Sequence, residues 1–298
     1  MATSAREAAR APRAPIAATR IVEIRLLGEF GALVGPVAVP ESAWCRRRAM
    51  SLVKLLALAP ARRLHREVVV DALWPQLPLA DAVPRLHQCA HYARRALGGA
   101  DAVVLRGSVV ALCPDRDVTV DAEVFRRAGA AALAGLVDPG APDLAAAAGP
   151  GAAVAAVPGA GRPGDDGSDP WAGSLSGRVV SLDRCVDRTL AARAADAYHG
   201  PLLPEDAAEP WTEPHREQLR QLYLRMLRAA GRWERLLLED PADERAHLAI
   251  MRRHAARGER VEALRQFDRL AAVLRRELGA APCQDALTLR AAVLGLSA

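Results

Sequence analysis

The chain has 298 residues, about half apolar and a quarter charged, a globular composition long enough for two domains. It carries a formal net charge of +5, concentrated between Arg20 and Pro114, where roughly 13 Lys/Arg stand against roughly 7 Asp/Glu; a polyanionic partner is therefore plausible. Five scattered cysteines, Cys45, Cys89, Cys113, Cys185 and Cys283, form no CxxC and argue against a disulfide scaffold or a zinc ribbon, reading instead as free cytosolic thiols.

Residues 1–19 are rich in Ala, Arg and Pro, lack an apolar run of signal-peptide length, and read as a disordered tail. Residues 21–40 alternate around Gly28, Gly31, Gly35 and Pro36 and predict short antiparallel strands. A helix is expected over 46–59, and a shorter one over 65–73 that ends at Trp74-Pro75. A third is expected over about 82–97, with Asp81 as its N-cap, Pro84 in its first turn and Gly98-Gly99 as its stop. The stretch VVLRGSVVAL predicts a hairpin turning at Arg106-Gly107-Ser108. Another helix falls at 121–134. Residues 138–177 hold little to bury and read as a disordered insertion, whose Ala-rich part contains Pro150 and Pro158 and cannot span a bilayer. Helical patterns return at 179–198, 211–229, 231–239, 242–256, 259–278 and 284–295, punctuated by Gly231, Gly258 and Gly279. Within 242–278, Ala263 and Phe267 sit where paired-helix repeats place a small and a large residue.

The third helix carries the chemistry. At 100° per residue Leu86, Ala90, Ala93 and Leu97 share one face, and Pro84, Gln88, His91 and Arg95 share the opposite one, with Tyr92 beside them. Gln can bond adenine bidentately, Arg can bond guanine, and His can reach a base edge or a phosphate, so these four are the candidate base readers. Arg85, His87 and Arg94 flank them where a groove-inserted helix meets phosphates. Arg46, Arg47 and Arg48 and the wing residues Arg106 and Ser108 complete the candidate phosphate contacts. A charged helix face is also what a merely solvated helix shows; the basic run and the wing tip tilt the balance toward DNA.

Other chemistries find less support. Lys54, the only lysine, lies in an apolar helix and not behind a Gly-rich loop, so no P-loop is expected. His87 and His91 are four residues apart, but Cys89 points away from His91 and no further ligand is evident, so no metal is expected. Ser, His and Asp occur without a nucleophile elbow, and no catalytic residue or cofactor is assigned. Trp211 with His215 and Arg216 reads as a core anchor in preference to a binding pocket.

In this order the elements resemble the Streptomyces antibiotic regulatory protein family. IRLLGEFGALV, RRRAMSLVKLLALAPARRLHRE, VVDALWP, LHQCAHYARRALG and VVLRGSVVALCP are similar to an OmpR/PhoB-type winged helix. DVTVDAEVFRRA, YHGPLLPEDAAEPWTEPHREQLR, DPADERAHLAIMRRHAARGERVEALRQFDRL and LRRELGAAPCQDAL are similar to a bacterial transcriptional activation domain. The resemblance implies an α+β winged helix-turn-helix followed by an all-α, tetratricopeptide-like domain. The implied division is a winged helix over 20–115 and an activation domain over 116–137 and 178–298, separated by the insertion at 138–177. It implies a cytoplasmic, nucleoid-associated activator of secondary-metabolite or similar genes, with double-stranded DNA and RNA polymerase as partners and a homodimer on direct repeats. Departures are the long insertion, a short helix pair around 219–240, and Cys283 in place of Ser. The competing expectation is a helical-repeat adaptor whose winged helix binds no DNA.

Overall fold

The computed structural model describes residues 21–134 and 187–295. The tail expected at 1–19 and the insertion expected at 138–177 lie outside the described residues. β1 (Ile21–Arg25) buries alternate side chains, Val22 and Ile24, as a strand with one covered face should. It pairs antiparallel with β2 (Gly31–Val34), which pairs with β3 (Val37–Ala38) through the turn at Gly35.

The other neighbour of β1 is β7 (Asp117–Val120), hydrogen-bonded in parallel with Ile24 opposite Val120, so the sheet order is β3-β2-β1-β7. Parallel strands need a long crossover, and here the whole helix-turn-helix and wing is that crossover. This pairing carries the N-terminal sheet past residue 115. Asp121, the first residue of α4 (Asp121–Leu133), closes the join by accepting the backbone N–H groups of Leu26 at 2.8 Å and Leu27 at 3.0 Å.

Within the crossover lie α1 (Arg47–Leu58), β4 (Arg63–His65), α2 (Arg66–Leu73), α3 (Leu79–Ala96) and the hairpin of β5 (Val103–Arg106) and β6 (Val109–Leu112). Gly107 has φ +57°, the left-handed geometry that a two-residue hairpin turn needs. β4 adds a third strand to the hairpin, in the order β4-β6-β5; three residues are too few to show alternation in sequence. α3 buries Leu86, Ala90, Ala93 and Leu97, with Ala82 and Cys89 beside them, and the small residues let α1 and α3 pack closely. It starts earlier than the sequence suggests. Pro78, with φ −57°, precedes the first turn, so Asp81 is not the cap but sits inside that turn, where its charge favours the helix dipole. Pro84 consequently falls in the second turn, on the exposed side, and the Ala80 carbonyl loses its helical donor.

The helical half comprises α5 (Arg188–Asp196), α6 (Glu213–Ala230), α7 (Trp233–Glu239), α8 (Glu244–Ala256), α9 (Arg260–Leu278) and α10 (Gln284–Leu294). Asp187 and Asp243 cap α5 and α8 by accepting N–H groups of their first turns, and left-handed Gly231 and Gly279 end α6 and α9. α7 has seven residues, the short member of the pair expected around 219–240. Ala263 and Phe267 are buried between α8 and α9, with Leu248, Met251, Leu270 and Leu274. The fold is thus an α+β winged helix followed by an all-α helical-repeat domain.

The two halves share one apolar core running from Val22 to Ala246. Phe125 of α4 lies 5.3 Å from Tyr198, which stacks on Tyr223 of α6 at 4.2 Å. Burial pushes the Tyr198 hydroxyl up to about 12. The chain after α5 extends the end of β1: Leu202 bridges Leu27, the Leu203 N–H donates to Leu26, and the Gly28 N–H donates to Pro201. Backbones approach so closely here that a Cβ on Gly200 would stand 3.3 Å from the Gly28 Cα.

Candidate nucleic-acid interface

Pro84, Gln88, His91 and Arg95 all lie exposed along α3, opposite its buried face. Arg85 and His87 are exposed beside them. Arg94 is half-buried, and its Nε donates to the Val103 carbonyl at 2.7 Å, tying the helix to the first wing strand. Arg116 makes a second tie: its Nη1 donates to the Leu97 carbonyl at 3.0 Å, and its guanidinium grips Asp101 at 2.5 and 2.7 Å. That pairing holds the Asp101 carboxyl below the usual carboxylate range. The exposed strip of α3 is therefore mounted on a fixed frame.

The basic run is brought to the same side. Arg46, Arg48, Arg85, Gln88 and Tyr92 line a cleft of ≈ 370 Å³ between the start of α1 and α3. The Arg46 guanidinium lies 5.7 Å from the centre of the Tyr92 ring. Burial pushes the Cys89 thiol up against the opposing pull of Arg48 and Arg46, consistent with cations beside it. Among the described residues no carboxylate forms an ion pair with Arg46, Arg85, Arg95 or Arg106.

The wing residues stand apart from that cleft. Arg106 is exposed at the end of β5; Ser108 lies in the turn, where its carbonyl accepts the Arg66 N–H at 2.7 Å and so joins wing to α2. Arg63 of β4 lines a shallow depression with Arg106 and Val109. Sequence reasoning does not find Arg63, because its place beside the wing depends on a strand pairing with Ala111 that no local pattern reveals.

A second feature escapes the sequence. The turn 204–209 of the helical half presents Glu205, Asp206 and Glu209 to α1. Lys54 Nζ is buried, 2.5 Å from Asp206 and 3.1 Å from Glu205, and 4.5 Å from the centre of the Phe30 ring. Arg48 Nη1 lies 3.1 Å from both oxygens of Glu209, and Arg47 lies 3.7 Å from Asp206. Arg216 fixes this turn by donating to the Leu202 carbonyl at 3.1 Å and the Leu203 carbonyl at 3.3 Å, and Thr212 Oγ1 donates to the Glu209 carbonyl at 2.8 Å. Trp211, next to it, packs against the shared core, as the anchor reading expects.

Among the described residues no group of three or more His, Cys, Asp or Glu side chains is placed to hold a metal ion, and no helix is long and apolar enough to cross a membrane.

Residues 180–294 match the family model of the bacterial transcriptional activator domain. The order, a winged-helix fold followed by this domain, resembles that of the Streptomyces antibiotic regulatory proteins. Among solved structures the fold is similar to Mycobacterium tuberculosis EmbR, determined in complex with a low-affinity phosphopeptide, with a TM-score of 0.61 and 16% identity. That likeness covers 93% of this chain and 66% of the EmbR chain, so this chain spans a little under two thirds of its relative. No curated protein matches the sequence.

Proposed function

We propose that this protein is a sequence-specific DNA-binding transcriptional activator that reads the major groove with α3. The observation that carries the reading is the exposed strip Pro84, Gln88, His91 and Arg95, held by Arg94 and Arg116 and adjoining the cleft with Arg46 and Arg85. Gln88 and Arg95 have the donors for adenine and guanine edges; His91 and Pro84 contact the groove floor. Arg46, Arg47, Arg48, Arg85, His87 and Arg106 serve phosphates, Ser108 approaches them from the wing, and Arg94 divides its donors between the wing strand and the backbone of DNA.

A single winged helix buries modest area, so tight binding requires two copies on adjacent direct repeats. The activation domain over 116–137 and 178–298 supplies that pairing and the surface for RNA polymerase. The protein then works in the cytoplasm at the nucleoid, with no catalytic residue and no cofactor. Genome-wide occupancy in the native host, joined to binding of the recovered promoters over a salt series, tests this. Specific fragments bound with an affinity that falls steeply with salt support it. No DNA bound at low salt would leave the helical-repeat adaptor as the better reading.

A further inference from the structure

We propose that the turn 204–209 is a built-in competitor for DNA phosphate at the start of α1, so that the helical half sets how strongly the winged helix grips the backbone of any sequence. This rests on the DNA-binding reading and deepens it. The turn is tied down within its own half. Buried Leu203 holds φ +44°, a left-handed conformation that costs a branched residue energy, and Arg216 and Thr212 fasten the carbonyls on either side. Its three carboxylates face α1 as one acidic cluster.

The pairs it makes fall into two grades. Lys54 and Asp206 are both about 3% exposed and form a permanent rivet between the halves. Arg48 and Glu209 are 41% and 18% exposed, and Arg47 is 73% exposed while touching the same Asp206. Pairs as open as these are weak and can be exchanged. Arg47 also stands on a ridge: it lines both the cleft toward Asp206 and Glu205 and the cleft toward Arg85 and Gln88 on α3. A phosphate arriving at α3 meets Arg47 and Arg48 already engaged by carboxylates. Binding then includes an exchange of Glu209 and Asp206 for phosphate, and the gain from those two arginines is reduced.

The test is the affinity of the full chain for a labelled random-sequence duplex over a salt series, comparing wild type, Glu209→Gln, Arg48→Ala and the double variant. Glu209→Gln should tighten binding by about two- to five-fold, the size expected from releasing one exposed pair. It should also steepen the log–log salt dependence by up to about 0.9, because no freed Glu209 carboxylate then takes up a cation as the phosphate releases one. Arg48→Ala should weaken binding, and adding Glu209→Gln to it should then change nothing further. Equal tightening by Glu209→Gln with and without Arg48 would mean a general charge effect and overturn the proposal, as would no tightening at all. If neither wild type nor any variant binds the duplex at low salt, the DNA-binding reading itself falls and takes this proposal with it.

Discussion

The arginines of the two halves do different work. In the helical half many are spent on the fold: Arg216 holds the turn after Leu202, Arg228 reaches Asp243 at 2.8 Å, Arg232 grips Asp196, and Arg260 donates to the Val293 carbonyl at 2.8 Å. On α3 and the wing, Arg85, Arg95 and Arg106 stand exposed and engage no carboxylate among the described residues. Composition cannot distinguish these uses; only the carboxylates and carbonyls brought near each arginine can. The seam is where they meet. Arg47 and Arg48 belong to the winged helix by position and to the helical half by pairing. The winged helix is therefore not a free module on a tether: its basic edge is partly held by the domain behind it.

Breaking the rivet should have the largest effect. Asp206→Ala leaves the Lys54 ammonium buried without its closest partner, and loss of one member of a buried pair costs about 3–5 kcal/mol. Urea unfolding should show that loss in a single transition, because the apolar core is continuous across the seam. Two separated transitions, or a loss under about 1 kcal/mol, would mean that the halves are more independent than their shared core implies.

A smaller effect sharpens the same point from the other side. The winged helix read from sequence ends at residue 115. β7 lies beyond it, with Val120 buried against the sheet. A fragment over 21–115 should be less stable than one over 21–134 by about 2–3 kcal/mol, the worth of a buried valine side chain with its strand pairing. Equal urea midpoints for the two would show that β7 is dispensable to the N-terminal sheet.

The smallest effect concerns reactivity. Burial pushes the Cys113 thiol up to about 11, so thiolate is scarce at neutral pH, and Cys89 is shifted in the same direction. Cys45 is exposed. Alkylation of the folded protein at neutral pH, read by peptide mass, should label Cys45 and spare Cys89 and Cys113. Rapid labelling of Cys89 would show that the cleft beside Arg46 and Arg48 opens readily.

What is legible in the sequence follows one rule: features carried by local periodicity can be read, and features made by distant pairing cannot. The two faces of α3 follow from 3.6-residue spacing, and the hairpin from Arg106-Gly107-Ser108. The start of α3 differs from the expectation because Pro78 supplies a fixed φ where a side-chain cap is expected at Asp81. β4 and the parallel partnership of β1 with β7 depend on residues far apart in the chain. The acidic turn is hidden for the same reason. PEDAAE carries no local sign of its partner, and Lys54, an odd lysine in an apolar helix, is explained only by Asp206, 152 residues away.

Gln88 and Arg95 on α3 are the proposed base readers. Selection of binding sites from a random DNA pool tests it with no promoter specified in advance, using the full chain as wild type, Gln88→Ala and Arg95→Ala. The wild type should enrich a repeated motif. Each variant should lose about 1–3 kcal/mol on that motif and relax preference at one position of the half-site. Recovery of the same motif with undiminished affinity by both variants would contradict the account.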